Sequence, residues 1–371
     1  MKKALVVLPT FNEGGTIKKL IEDILAQNKK LPNWDIEILV NDSSSTDDTA
    51  KIVKELQKKY SKKIYLLETE KKGLGKAYHQ AFIYAIEHVQ PFVIIQMDAD
   101  FSHNPNDIPL FLEKIAKGAD FVVGARYIKG GSIPNNWGIH RKILSVLANL
   151  IIRLGFMKLS IHEWTNGYRA IKIWLIKDAL DHIKNYSGYV FQIAMLDYAI
   201  KNGAKLAEIP NNFIDRKYGK SKIFVSQYIF QIFAYIFSYS SFIKFVIVGF
   251  IGFAVDFSFA YLFINKLHIT KALANMYSAE VAIFVNFLLN NFWSFKDKKI
   301  IGGFFAYLIK FITFNFVSSG SIIIQGVGLT LALKFIGDNN GSWIIYKILI
   351  IAFIIIPYSY ILYNKFIWKK K

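Results

Sequence analysis

Short apolar runs alternate with amphipathic stretches along the first part of the chain. Each run stops at a polar or glycine-containing segment, and apolar residues at helical spacing follow most of the runs. This alternation predicts strands joined by helices, and therefore an α/β domain whose first four strands form a parallel sheet. The predicted strands are residues 4–8, 36–40, 64–67, the run that starts at Val93, 120–124 and 207–209.

The pattern changes after residue 222, where Phe, Ile, Leu and Tyr become dominant. Residues 223–238 carry a narrow polar stripe, which predicts an amphipathic helix in the membrane interface within a linker over residues 223–240. Four apolar stretches follow, and each is long enough to cross a hydrocarbon core as a helix. They are residues 243–264, 273–292, 304–331 and 343–362. We therefore predict a cytosolic head over residues 1–222 and an all-α transmembrane domain with four helices over residues 241–371.

The lysines at the ends of the predicted spans indicate their orientation. Lys296 and Lys299 lie in the connection after the second span, and Lys365 and Lys369 lie near the end of the chain. Because cationic loops stay in the cytoplasm, we expect the head and both termini on the cytoplasmic side. The apolar run before Pro9 is too short for a signal peptide.

Two carboxylates mark the candidate site. Asp98 and Asp100 follow the apolar run that starts at Val93, and the polar segment 102–105 ends that run. In open α/β sheets, ligands bind beyond the carboxyl ends of the strands. Oxygen ligands one residue apart suit a hard divalent cation, Mg²⁺ or Mn²⁺, and hence a substrate that carries phosphate. An isolated Asp-x-Asp is more often a solvated turn, so its surroundings decide the interpretation.

Composition narrows the function classes. The chain has 371 residues, 53% of them hydrophobic, and a net charge of +19. The charge favours anionic partners, either nucleotide phosphates or a membrane surface, whereas no recognition helix or basic-aromatic stripe indicates nucleic acid. No cysteine is present, which excludes disulfides, thiolate metal sites and a cysteine nucleophile.

Basic residues appear at two further places. Arg126 follows the strand predicted at 120–124, so we expect it at the same edge of the sheet as the two carboxylates. The segment 215–222 holds four cations around Gly219. It is either a solvated linker or a mobile lid that closes on phosphates.

Taken in order, these motifs resemble those of family 2 glycosyltransferases of the dolichol-phosphate mannose synthase type. The match spans the whole head, and the region from Lys244 to Phe295 resembles the start of the GtrA-like membrane domain that follows this head in archaeal members. The motifs are 9–13, 40–42, 97–100, 124–127, 165–170, 189–192 and 216–222. The resemblance implies a GT-A (Rossmann-like) fold for the head.

The resemblance also implies roles for individual residues. Asp98 and Asp100 would hold a divalent metal and, with Ala99 between them, the donor diphosphate. The residues expected to line the nucleoside are Pro9, Phe11, Glu13 and Asp42. Those expected to meet the lipid phosphate or close over the donor are Arg126, Arg141, Arg216 and Lys222. The implied partners are GDP-mannose, dolichyl or polyprenyl phosphate, and the membrane.

The expected reaction is inverting transfer of mannose to the lipid phosphate, which makes a lipid-linked sugar donor for glycosylation. Ala194 stands where relatives often carry Glu, and a phosphate acceptor needs no general base because much of it is already a dianion. A glucosyl transfer from UDP-glucose is an alternative, since the motifs do not name the sugar. A lipid flippase or anchor with a nucleotide-sensing head is a further one. A processive polysaccharide synthase is disfavoured because the sequence lacks a Gln-x-x-Arg-Trp motif.

Overall fold

The structure is a computed structural model that describes residues 1–215, 225–337 and 342–369. The chain divides into an N-terminal unit, Met1–Tyr235, and a C-terminal unit, Ile236–Lys371. The domain boundaries predicted at residues 222 and 240 stay predictions, because a division by compactness does not test them.

One seven-stranded sheet forms the centre of the N-terminal unit, with the strand order β3-β2-β1-β4-β6-β5-β7. The first four strands are mutually parallel where they pair, as the sequence predicts. The strands are β1 (Lys2–Thr10), β2 (Trp34–Asp42), β3 (Ile64–Glu68), β4 (Val93–Gln96), β5 (Phe121–Ala125), β6 (Arg169–Lys172) and β7 (Leu206–Pro210).

The strand β6 is not among the strands predicted from the sequence. β6 runs antiparallel to both β4 and β5, so the sheet is mixed. Its four residues include Arg169 and Lys172, and such a segment shows no apolar run of strand length. Tertiary contacts decide here, because Ala170 and Ile171 are fully buried and Arg169 finds partners inside the protein.

Helices cover both faces of the sheet. Alternate residues of β1, such as Val6 and Leu8, belong to the core that includes the apolar faces of α1, α2 and α4. This alternation is the period of two that a strand imposes on its side chains. The helices are α1 (Ile17–Ala26), α2 (Thr49–Lys59), α3 (Leu74–Tyr84), α4 (Ile108–Ala116), α5 (Ile139–Phe156), α6 (Ile173–Ile183), α7 (Val190–Lys201) and α8 (Val225–Tyr239).

Four apolar helices form the C-terminal unit, and each is long enough to span a membrane, in agreement with the four predicted spans. They are α9 (Ser241–Asn265), α10 (Lys271–Ser294), α11 (Phe304–Ile336) and α12 (Trp343–Phe366). Asp256 lies within α9, and its Oδ1 accepts a hydrogen bond of 2.6 Å from the Ser278 hydroxyl of α10. A polar residue within one apolar helix is thus paired with a neighbouring helix of the bundle.

Candidate active site

A cavity of about 370 Å³ lies where β1 and β4 end, in the N-terminal unit. Its walls come from the loops after these strands, the start of α3, the loop before α7, and α8. Six predicted site residues lie on these walls: Pro9, Phe11, Glu13, Asp98, Ala99 and Asp100. The structure therefore places three of the four predicted nucleoside residues and both predicted metal residues around one space.

Local hydrogen bonds hold the segment that carries the two carboxylates. Asp100 is buried, and its Oδ1 accepts the backbone N–H of Ser102 at 3.0 Å. The side chain of Asp98 keeps 39% of its surface exposed, and its backbone N–H donates to His103 Nδ1 at 3.0 Å. The Asp-x-Asp segment is thus held from both sides as it leaves β4.

His103 supports the candidate site, and the sequence patterns did not predict this role. Since its Nδ1 accepts a hydrogen bond from Asp98, its Nε2 carries the proton and donates to Asn166 Oδ1 at 3.0 Å. The ring also stacks on Tyr168, with centroids 4.7 Å apart. Asn166 in turn donates to the Gly124 carbonyl at 2.6 Å and to Asn211 Oδ1 at 3.0 Å. This buried relay ties the Asp-x-Asp segment to β5 and to Asn211, which directly follows β7.

The donor set fits a hard divalent cation. Among the described residues, no group of three or more His, Cys, Asp or Glu side chains is placed to hold a metal. The cavity does present the two carboxylates Asp98 and Asp100, and His103 directs its Nδ1 to the backbone. Oxygen ligands of this kind suit Mg²⁺ or Mn²⁺, with the remaining positions filled by substrate phosphates and water.

The two loops that carry the predicted nucleoside residues are tied together. In the loop after β1, the backbone N–H groups of Asn12 and Gly14 donate to Ser45 Oγ and Asp47 Oδ2, at 2.8 and 2.9 Å. In the opposite direction, Thr46 N–H donates to Asn12 Oδ1 at 2.8 Å. Hydrogen bonds therefore join the two loops that form this part of the cavity wall.

Asp42 and Phe11, two of the residues predicted to line the nucleoside, differ in their surroundings. Asp42 is buried at the end of β2, where its carboxylate accepts the Thr10 hydroxyl at 2.8 Å and the Ser45 N–H at 2.9 Å. Asp42 does not itself line the cavity, but its neighbour Ser43 does. The ring of Phe11 lies 3.5 Å below Lys71 Nζ, so an aromatic face and a cation share the wall.

The opposite wall also contains residues that the sequence interpretation had not assigned to the site. Gly73, just before α3, adopts a φ of +94° and lies close against the backbone of Ser187. From α8, predicted as an interfacial helix, Tyr228 and Gln231 reach the cavity. Burial raises the pKa of Tyr228 well above its usual value, so this hydroxyl stays protonated.

Arg126 lies in a buried ion pair. Its Nε donates to Glu163 Oε2 at 2.8 Å, and its Nη2 donates to Glu163 Oε1 at 3.0 Å and to Thr165 Oγ1 at 2.9 Å. Burial, the largest single influence, would raise the pKa of Glu163, but the Arg126 charge and the hydrogen bonds from Arg126 and Thr165 together outweigh it and lower this pKa. Burial likewise opposes the charge of Arg126, but Glu163 raises its pKa above the usual value.

Arg141 is connected to Arg126 through aromatic rings. Its guanidinium lies 3.8 Å above the Trp137 ring, which contacts Phe213 with centroids 5.8 Å apart, and Arg126 lies 5.6 Å from the Phe213 ring. Arg141 also pairs with Asp215 at 3.3 Å. Among the described residues, those lining the cavity include neither arginine. The predicted lipid-phosphate roles of both stay predictions, and Arg216 and Lys222 lie outside the described residues.

The sequence model of Glycosyl transferase family 2 matches residues 5–192, half of the chain. This match includes β4 and all but the first three residues of β1, the two strands whose ends adjoin the cavity. The chain belongs to glycosyl transferase family 2. A second model, the GtrA/DPMS transmembrane domain, matches residues 244–368, and with its four apolar helices the chain is an integral membrane protein. The predicted family, enzyme class and fold class are thereby confirmed.

Two proteins are similar in sequence to this family 2 enzyme. Dolichol-phosphate mannosyltransferase from Pyrococcus furiosus is 32% identical to it, with 83% of this chain and 85% of that protein covered. Polyprenol monophosphomannose synthase from Mycolicibacterium smegmatis is also 32% identical, with 60% of this chain and 81% of that protein covered. The match to the first relative extends beyond the region that carries the cavity.

A solved structure shows a weaker likeness. Glucosyl-3-phosphoglycerate synthase from Mycobacterium tuberculosis, in complex with phosphoglyceric acid, is 18% identical. Its TM-score is 0.46, over 64% of this chain and 79% of that chain. A likeness of this size has no bearing on substrate.

Proposed function

We propose that this family 2 glycosyltransferase moves mannose from GDP-mannose to dolichyl or polyprenyl phosphate, with inversion at the anomeric carbon. The observation that carries this proposal is the single cavity that brings Asp98 and Asp100 together with Pro9, Phe11 and Glu13. The names of the two relatives support mannose and a polyprenyl phosphate acceptor.

The cavity provides for departure of the nucleotide. Asp98 and Asp100 would hold a divalent cation, which when bound stabilises the charge on the leaving diphosphate. Phe11 and the cross-linked loops would hold the nucleoside, and Lys71 adds a positive charge on the same wall. Because the fold holds these groups in position, they need little rearrangement to stabilise the leaving diphosphate.

The acceptor supplies its own nucleophile. An oxygen of the phosphate dianion attacks C1 of mannose, the bond from C1 to the diphosphate oxygen breaks, and GDP leaves with the electron pair. No proton moves in this step, so no general base is required. Ala194, which stands where relatives often carry Glu, is fully buried in α7 and offers no base. Arg126 and Arg141 would draw the acceptor phosphate close despite the negative charge of the donor.

The surface of α5 supports reaction at a membrane. This helix exposes large apolar side chains along much of its length, and soluble proteins rarely expose such a continuous patch. The exposed residues are Ile139, Ile143, Leu144, Val146, Leu147, Leu150 and Leu154. Arg141 and Lys142 on the same helix suit anionic headgroups. We further propose that this surface faces the cytoplasmic leaflet, with the catalytic region and both termini in the cytoplasm.

A donor screen tests the proposal. The full-length protein in polyprenyl-phosphate vesicles is given GDP-mannose, UDP-glucose or UDP-GlcNAc, each with Mn²⁺, with Mg²⁺ or with a chelator. We expect the lipid product only with GDP-mannose and a divalent cation. Transfer from UDP-glucose instead would reject mannose as the sugar, and transfer from none of the donors would reject the function.

A further inference from the structure

We infer that Gln192 is a specificity-determining residue, whose side-chain amide binds a hydroxyl group of the hexose that is being transferred. This inference rests on the proposed function and names the part of the site that would recognise the sugar. Gln192 lies near the start of α7, just beyond the cavity residues Ser187, Gly188 and Tyr189.

The amide of Gln192 is buried without a protein partner. The residue is 1% exposed, and neither Oε1 nor Nε2 has a hydrogen-bond partner among the described residues. A buried amide without partners destabilises a protein, because it loses water and gains nothing in return. Such a group in a native fold calls for a ligand or a role.

The space beside this amide is large enough for a ligand atom. A methyl group added to Gly167 would lie 3.4 Å from Gln192 Nε2, 3.7 Å from Asp98 Oδ1 and 3.8 Å from His103 Cε1, all at ordinary contact distance. The absence of a side chain at Gly167 therefore leaves a position that faces an amide donor and the first metal carboxylate together. This position adjoins the place where the sugar phosphate bond would lie.

The chemistry of this position suits a hydroxyl and not a phosphate. Asp98 would repel a phosphate oxygen brought to this distance, and the neutral amide of Gln192 could not offset that charge. A hydroxyl can accept a hydrogen bond from Gln192 Nε2 and donate its own proton to an acceptor nearby. The ligand is then a hydroxyl of the hexose or of the nucleotide ribose, and these two sources can be separated by experiment.

A buried arginine fixes the walls of this position. Arg169 is fully buried and donates to the carbonyls of Gln192, Asn166 and Trp164, at 2.5, 2.8 and 2.8 Å. It thereby joins the start of α7 to the segment on either side of Gly167. Because these bonds hold the backbone that carries Gln192 and Gly167, sugars that differ at one carbon would meet this amide in different positions.

The test compares binding of a nucleotide with and without its sugar. Full-length Gln192→Leu has nearly the same side-chain volume and loses only the amide. We expect its Kd for GDP-mannose in the presence of Mn²⁺ to rise by about tenfold, the loss of one neutral hydrogen bond, while its Kd for GDP stays unchanged. We also expect its preference for GDP-mannose over GDP-glucose to fall.

Two further variants make the result decisive. Gln96→Leu is the matched control, since Gln96 is equally buried and both atoms of its amide also lack partners among the described residues. It should leave both Kd values and the sugar preference unchanged. Gly167→Ala fills the position with a methyl group and should weaken GDP-mannose binding without affecting GDP binding.

The possible outcomes separate the inference from the proposed function. Equal weakening of GDP and GDP-mannose by Gln192→Leu would assign the hydroxyl to the ribose and overturn the inference. Unchanged binding of both by Gln192→Leu and Gly167→Ala would overturn it as well. Failure of the unaltered enzyme to bind or use GDP-mannose would instead contradict the proposed function, and the same comparison would then be made with the sugar nucleotide that it accepts.

Discussion

The donor side and the acceptor side of the catalytic region are built differently. The donor side, the cavity around Asp98 and Asp100, has its predicted residues on one set of walls, and its loops are cross-linked. On the acceptor side, which we define as Arg126, Arg141 and the rings between them, each arginine already pairs with a carboxylate. Hydrogen bonds within the protein therefore hold the proposed donor side, whereas a phosphate that binds at the proposed acceptor side must compete with Glu163 or Asp215.

This difference indicates distinct tasks for the two arginines. The pair between Arg126 and Glu163 is buried and bidentate, so separating it in a folded protein is costly. Arg141 is half-exposed, and its pair with Asp215, at 3.3 Å, is easily exchanged for a phosphate. The geometry favours Arg141 as the arginine that moves to the acceptor, with Arg126 as a fixed positive group behind it.

The largest effect is expected on the donor side. Asp98→Ala and Asp100→Asn should each lower kcat by about 10²–10³-fold or more, because a carboxylate that holds the metal is lost. Transfer of labelled mannose in vesicles measures the rate. Asp48→Asn, at an exposed position in a neighbouring loop, is the control and should keep normal turnover. Near-normal turnover of both site variants would reject the metal assignment.

The next effect separates a structural from a catalytic role for Arg126. Arg126→Ala and Glu163→Gln should each destabilise the protein by about 3–5 kcal/mol, because each leaves one buried charge unpaired. The double variant Arg126→Met with Glu163→Gln should recover most of that loss in thermal unfolding. If the double variant is folded but has a raised KM for the acceptor, Arg126 acts on the phosphate; a normal KM would assign it a structural role only.

The same ion pair predicts a dependence of stability on pH. The pKa of Glu163 is lowered in the folded state, since the effects of Arg126 and Thr165 together exceed that of burial. Its contribution is therefore fully present above the ordinary Glu pKa of about 4.3 and is lost as pH falls further, towards the folded value. The loss on acidification should be smaller in the double variant, and equal losses in both proteins would contradict this assignment.

A smaller effect is expected at Arg141. Arg141→Ala should raise the acceptor KM by roughly tenfold, the loss of one charge-assisted contact, while the Kd for GDP-mannose and the melting temperature stay close to normal. Steady-state kinetics with varied polyprenyl phosphate measures this change. Lys58→Ala, at an exposed position of α2 away from the arginines, is the control. A raised Kd for the donor would move Arg141 to the donor side.

The smallest effect is expected on the apolar surface of α5. Leu147→Ser and Leu150→Ser each remove an exposed apolar side chain, so they should raise KM a few-fold for a long-chain acceptor in vesicles. With a short-chain, soluble prenyl phosphate, KM should stay unchanged because membrane contact is then irrelevant. An equal rise with both acceptors would show that α5 contributes to the active site and not to membrane contact.

The sequence predicted most of the elements, and for physical reasons. Buried parallel strands such as β1 and β4 are nearly continuous apolar runs, and membrane helices must be long and apolar, so both kinds of element are visible in the pattern. The strand β6 was not predicted because its pairing with β4 and β5, and not an apolar run of its own, makes it a strand. The carboxylates of the site were found because they follow an apolar run directly.

The residues that support the site could not be found in this way. The role of His103 depends on Asn166, which lies 63 positions further along the chain. No local sequence pattern indicates that these two residues meet in the fold. The same holds for Glu163, which comes from a loop and meets Arg126 only in the folded sheet. The order of motifs along the chain signalled that these segments belong together, but not which atoms meet.

The hydrogen bonds between the loops after β1 and β2 have a consequence for how this enzyme can diversify. Asn12 both donates to Ser45 and accepts from Thr46, so the two loops form one mechanical piece. A substitution in either loop disturbs the other, and changes there should be strongly non-additive. Under the proposed function, a new base preference should therefore arise only through paired changes in both loops.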